Sequence, residues 1–204
     1  MKTIVRSSVM LATLVGFAIL SGAGQTPGAD TKAPASTGKF DLAVSYTYKS
    51  AKISTTTGHF SLNGISVDGA YWLPTKAQKV AIACDFNLES AKNIQPNVNL
   101  DQISLVIGPR FNLWQSKSNG LKANIYGEGM AGFVEAFNSV FPTIPATASA
   151  HSWAFQAGGG MNLPLSPKFG WRVAEADYIA TKLPNNQDTY QGDLRISTGF
   201  TFHF

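Results

Sequence analysis

The chain has one cysteine, Cys84, in 204 residues. A lone thiol excludes an internal disulfide framework and the paired-cysteine zinc sites. Charge is also scarce: Asp, Glu, Lys and Arg make up 14% of the residues, where soluble domains carry about 25%. The formal charge is +4 and falls to +2 once Lys2 and Arg6 are lost with a leader. No basic cluster remains, so a nucleic-acid surface is not expected. Helical patterning is missing too. Beyond Gly38 no apolar run keeps helical spacing for more than two turns.

What the chain does have is 44% hydrophobic residues, 11% aromatics and 19 glycines. Lys2 and Arg6 precede an apolar stretch, Val9 to Leu20, and small residues follow in Ser21-Gly-Ala-Gly24. Basic, apolar, then small is the order of a secretory signal peptide. The apolar run is too short for a membrane-spanning helix, which needs about 20 residues. Residues 1–24 are therefore expected to be a signal peptide. Residues 25–38, "QTPGADTKAPASTG", read as a flexible linker.

From Lys39 the texture is alternation. Phe40, Leu42, Val44, Tyr46 and Tyr48 share one face of a strand; Asp41, Ala43, Ser45 and Thr47 share the other. Ile103, Leu105, Ile107, Phe111 and Leu113 oppose Gln102, Ser104, Gly108, Arg110 and Asn112. In the last segment Leu194, Ile196, Phe200, Phe202 and Phe204 oppose Arg195, Ser197, Gly199, Thr201 and His203. A period of two puts two chemistries on two faces of a sheet. Weaker segments at Leu62–Leu73, Val80–Asn87, Leu121–Val134, Trp153–Leu163 and Gly170–Ala180 bring the count to eight strands.

The polar faces decide which side is inside. They hold Ala, Ser, Gly, Asn and Thr with isolated charges at Asp68, Asp85, Arg110, Glu128, Glu175, Asp177 and Arg195. A soluble sandwich would instead carry many Lys and Glu there. Small residues with sparse, pairable charges suit a narrow lumen, and the large apolar residues suit lipid. Hydrocarbon cannot satisfy backbone polar groups, so such a sheet must close. The expected fold is all-β: an eight-stranded antiparallel up-and-down transmembrane β-barrel over residues 39–204. Aromatic girdles mark both interfaces of such barrels. One set is Phe40, Tyr71, Trp114, Trp171, Phe202 and Phe204; the other is Tyr46, Tyr48, Phe86, Trp153, Phe155 and Tyr178. Connections alternate as periplasmic turns and outer loops would. The long ones are Lys49–His59, Leu88–Asp101, Glu135–Ser152 and Thr181–Asp193; the short ones centre on Pro74–Gln78, Gln115–Gly120 and Pro164–Phe169.

A lone charge in a tight lumen would be strongly unfavourable. A paired network is therefore expected among Asp68, Asp85, Arg110, Lys122, Glu128, Glu175, Asp177 and Arg195. An eight-stranded lumen is just wide enough for side chains to fill it, which favours a plug over a gated ion path. Two residues depart from the pattern. Pro109 lies inside a strand, where its missing N–H points to a bulge. Arg172 falls on the outward face if Glu175 and Asp177 point in.

Other motifs read blandly. Gly127-Glu-Gly-Met-Ala-Gly132 matches a dinucleotide fingerprint, but no helix and no acid about 20 positions on accompany it. These glycines, and Gly158-Gly-Gly160, let walls and inward side chains approach closely. His151 and Ser152 are adjacent, so a strand points them to opposite faces. His59, His151 and His203 lie too far apart for a metal site. Cys84 sits beside Ile82 and Phe86 on the apolar face, where a thiol is inert. No catalytic residue, cofactor or metal is expected.

The leader, the strand rhythm and the segments "IGPRF", "GGGMNLPLSPKFGWRVAEADY" and "DLRISTGFTFHF" together resemble the small eight-stranded outer-membrane β-barrel family, with the OmpA-like membrane domain as its type. The resemblance runs from about Lys39 to the end. It implies the outer membrane of a Gram-negative-type bacterium, reached through the signal peptide. It also implies that Phe200, Phe202 and Phe204 form an assembly signal read by the barrel-assembly machinery. The partners expected are outer-membrane lipid and that machinery, with the chain a monomer and no nucleic acid bound. The function expected is non-enzymatic: envelope integrity or surface contact through four extracellular loops. A small gated channel is the alternative. A lipid-modifying enzyme and a soluble lipocalin-type barrel stand further back.

Overall fold

The computed structural model describes residues 39–52, 59–74, 79–95, 98–116, 123–141, 147–184 and 190–204. The expected signal peptide and linker lie outside them. Eight strands follow in order: β1 Lys39–Lys52, β2 His59–Trp72, β3 Val80–Gln95, β4 Val98–Gln115, β5 Asn124–Phe141, β6 Thr147–Pro164, β7 Phe169–Thr181 and β8 Gln191–His203. Each pairs antiparallel with its sequence neighbour, and β8 closes on β1. The barrel is an up-and-down meander without an edge, as the alternation predicts.

The seam is tight. Val44 faces Phe200 and Leu42 faces Phe202 across it. Beyond the paired residues, Phe40 N–H donates to the Phe204 carbonyl at 3.3 Å and Phe204 N–H returns a bond to the Phe40 carbonyl at 2.8 Å. The aromatic tail of the sequence is thus the strand that shuts the cylinder, with Phe169 stacked on Phe200 at 5.5 Å between ring centres.

Polarity is inverted relative to a soluble barrel. All twelve girdle aromatics are exposed on the outside, as are Leu105, Ile107, Ile196 and Phe200. Buried positions hold Arg195 and Asp177 at 0% exposure and Arg172 at 1%. The expectation that large apolar residues look out and charges look in therefore describes the wall.

Three local expectations need correction. Leu88–Asp101 and Glu135–Ser152 are mostly strand rather than long loops. The alternation carries on past the girdle, with Glu89, Ala91, Val134 and Ala136 still buried inward. An 18-residue strand such as β4 or β5 rises about 60 Å along its own direction, so even when strongly tilted it outruns a hydrocarbon core of about 30 Å. Bulges bend these extensions, and each carries an asparagine at positive φ, Asn93 at 55° and Asn138 at 59°. Pro109 makes no bulge. Ile82↔Pro109 is in register, and the β4–β5 ladder resumes unchanged from Ile107↔Ala131 to Arg110↔Glu128. The β4 bulge falls instead between Asn112 and Trp114. Arg172 points inward, not outward. The extra residue of β7 lies between Arg172 and Glu175, which face Gly199 and Ser197. A bulge places two residues opposite one, so the parity of the strand changes and both side chains enter the lumen.

Candidate functional site

The site is the lumen itself, built from inward positions of β2 to β8. Asp68 on β2 is its hub. It accepts two parallel bonds from Arg110 on β4, at 2.8 and 2.6 Å, and a third from Arg172 on β7 at 2.9 Å. Arg110 also donates to Glu128 at 2.7 Å, and Arg172 lies 2.8 Å from Glu175 as an ion pair. The Tyr126 ring sits under both guanidiniums, 4.4 Å from Arg110 and 5.4 Å from Arg172, and its hydroxyl donates to Glu175.

A second cluster surrounds Arg195 on β8. It donates to Asp177 at 2.8 Å, to Asp85 at 2.7 Å and to Asn87. Gln156 joins the two clusters by donating to Asp85 at 3.2 Å and Glu128 at 3.1 Å. Planar guanidiniums suit this role because each can serve several carboxylates from a fixed fork. Removing ions from water is costly, and only such dense pairing offsets it.

Glycines make room for the layer. A Cβ on Gly158 would stand 2.2 Å from the Asp177 carboxylate, and one on Gly160 would stand 2.7 Å from the Tyr126 hydroxyl. Both would be sub-van der Waals contacts, so Gly158-Gly-Gly160 is the wall behind the network.

Of the residues singled out in the sequence, Asp68, Asp85, Arg110, Glu128, Glu175, Asp177 and Arg195 meet in this waist. Lys122 lies outside the described residues. Phe200, Phe202 and Phe204 are exposed on the outside of the seam. Sequence reasoning missed Arg172, Tyr126 and Gln156. It also missed Lys49, which bonds Glu89 and Gln102 in a separate buried group nearer the outer end. The signal for Lys49 and Glu89 was continued alternation into segments read as loops. Asp193 is buried beside Lys49 and Glu89, and the same end of the lumen holds Leu62, Leu100, Val134, Phe141 and Leu183, all buried.

Glu128, Glu175 and Asp177 each offer a carboxylate oxygen within 4.8 Å of the others. Arg110, Arg172 and Arg195 already pair with them, so cationic partners occupy that trio. His151 is exposed while Ser152 is buried, its hydroxyl accepting from Lys182 N–H at 2.8 Å. The two side chains diverge as the strand requires. At the end where β1 starts and β8 finishes, His203 Nδ1 and Trp72 Nε1 stand 2.7 and 2.6 Å from the Asp41 carboxylate.

No family model matches the chain, and no curated protein matches it in sequence. Solved structures do match. Ail, the attachment invasion locus protein of Yersinia pestis, solved in complex with the heparin analogue sucrose octasulfate, aligns with a TM-score of 0.53 at 18% identity over 82% of this chain and 99% of that one. Neisserial surface protein A aligns with a TM-score of 0.56 at 12% identity over 81% and 97%. At such identities the likeness is one of fold. Closed antiparallel topology, eight strands, an apolar exterior and an ion-paired interior converge with these alignments: the chain has the fold of the small eight-stranded outer-membrane β-barrels.

Proposed function

We propose that this protein is a non-enzymatic, monomeric integral protein of a Gram-negative-type outer membrane. Residues 1–24 direct its export, and the barrel-assembly machinery reads Phe200, Phe202 and Phe204. Its barrel is a sealed anchor, and its outer hairpins serve envelope integrity or surface contact. One observation carries this reading: side chains from seven strands fill the waist and pair there, with Arg172, Arg195, Glu175 and Asp177 at 2% exposure or less. A pore would need those groups lining water. The strand extensions of β3–β4 and β5–β6 support a role at the surface, since they carry chain beyond what spanning requires.

Planar-bilayer recording of the refolded barrel tests this. The expected trace is flat. A steady unitary current would replace the anchor with the channel reading. Three guanidiniums face five carboxylates in the waist, so that current would favour cations.

A further inference from the structure

The outside of the barrel is charged differently at its two ends. At the end carrying Lys39 and Phe204, the exposed ionic side chains among the described residues are Lys39, Lys79 and Lys168. No aspartate or glutamate is exposed there; Asp41, the acid at that end, is turned to Trp72 and His203. The connecting sequences between β2 and β3 and between β4 and β5 contain no acid either. At the other end, among the described residues, exposed Lys92 and Lys182 stand with exposed Glu135 and half-buried Asp101.

The three lysines sit on fixed backbone. Lys39 pairs with Trp72. The Lys79 carbonyl accepts from Asn112 N–H at 2.8 Å, and the Lys168 carbonyl accepts from His203 N–H at 3.0 Å. Just inside them on the barrel surface lie Tyr71, Trp114, Trp171 and Phe202, all exposed. Aromatic rings seat at the headgroup level of a bilayer. Lysines next to that belt extend their stems along it and place ammonium groups among the headgroups. Each such cation near an anionic surface is attracted measurably, and the attraction fades within a Debye length.

We propose that this rim binds anionic phospholipid headgroups, selecting them from the leaflet that surrounds the terminus end. The proposal rests on the membrane-barrel reading above. Lys39, Lys79 and Lys168 supply the charge, and the aromatic belt sets their depth.

Trp114 and Trp171 report on this leaflet, because they lie at the rim while Trp153 lies toward the other end. The experiment compares quenching of refolded W153F protein by brominated phosphatidylglycerol and brominated phosphatidylcholine, in vesicles of either lipid mixed with its unbrominated form. Phosphatidylglycerol is expected to quench severalfold more effectively at low salt, and the preference should shrink toward unity as salt is added. The K39Q/K79Q/K168Q variant should lose the preference while keeping heat-modifiable gel migration. In W114F/W171F protein Trp153 is the lipid-facing reporter, because Trp72 is buried inside the barrel, and quenching should not discriminate. Equal quenching by the two lipids in a heat-modifiable barrel overturns the proposal alone, as does a preference that survives the triple variant or appears equally at Trp153. Loss of heat-modifiability in the starting protein overturns the membrane reading, and this proposal with it.

Discussion

The waist of the lumen and its outer end solve the same problem with opposite chemistry. At the waist, three arginines, five carboxylates and Tyr126 fill the cross-section through directed bonds. Toward the outer hairpins, Leu62, Leu100, Val134, Phe141 and Leu183 fill it by packing, with Lys49, Glu89, Gln102 and Asp193 buried among them. Packing tolerates substitution gradually, because each methylene contributes its own increment. A hydrogen-bonded ion layer does not, because removing one member strands its partners in a dry site. The two layers should therefore respond to mutation on different scales.

The largest effect belongs to Asp68. Asp68→Asn keeps the shape but leaves Arg110 and Arg172 sharing a neutral amide. Breaking a buried pair from one side costs about 3–5 kcal/mol. Urea unfolding of the detergent-refolded barrel should show a loss of that size, and the heat-modified gel shift should occur at a lower temperature. A loss under about 1 kcal/mol would mean that the waist is wetter than its burial indicates.

Next comes Leu62→Ala, in the apolar layer. Leu62 is fully buried, and such truncations cost about 2–5 kcal/mol depending on how far the site collapses. The apolar neighbours Leu100, Val134 and Leu183 can close part of the gap, so about 2–3 kcal/mol is expected, below Asp68→Asn. The same unfolding measurement ranks the two layers directly.

How much of this contrast was legible beforehand follows the physics of each layer. The waist was read from Asp68, Arg110 and Arg195 because a charge between small residues in an alternating strand has one consistent explanation. The inward turn of Arg172 is not legible locally, because it depends on a bulge, and a bulge is fixed by pairing with β6 and β8 rather than by the local pattern. Tyr126 is not legible because alternation places large aromatics outside, whereas its ring is held inside by two guanidiniums. The outer layer was hidden for another reason. Turn-type residues at Asn93, Asn97, Asn99 and Asn138 read as loop, but at least Asn93 and Asn138 serve bulges within continuous strands. Sequence pattern gives the period of a strand; it does not give the length of its ladder once a partner supports it.

A smaller effect separates the two contributions of Tyr126. Tyr126→Phe keeps the ring beneath Arg110 and Arg172 but deletes the donor to Glu175. A bond to a charged acceptor contributes about 1.5–3 kcal/mol, so the variant should lose the lower part of that range. Tyr126→Leu, which also removes the ring–cation contact, should lose at least about 0.5–1 kcal/mol more. Equal losses would assign the whole contribution to the hydroxyl.

The smallest effect would be the most informative. Arg195→Met alone strands Asp85 and Asp177 and belongs with the large losses. Arg195→Met combined with Asp85→Asn and Asp177→Asn removes the cluster as a unit. Gln156 can still donate to the amide at position 85. The remaining waist then holds Arg110 and Arg172 against Asp68, Glu128 and Glu175, closer to neutrality than before. Replacing a complete buried ion set with neutral groups of similar volume is often neutral or stabilising. The triple variant should therefore unfold within about 1 kcal/mol of the starting protein, and its bilayer trace should stay flat because the volume is retained. If instead it is as unstable as Arg195→Met, the ions hold the waist through their mutual attraction, and filling space is the lesser part of their role. If it is stable but conducts, charge rather than volume is what seals the barrel, and the apolar outer layer is not a second barrier.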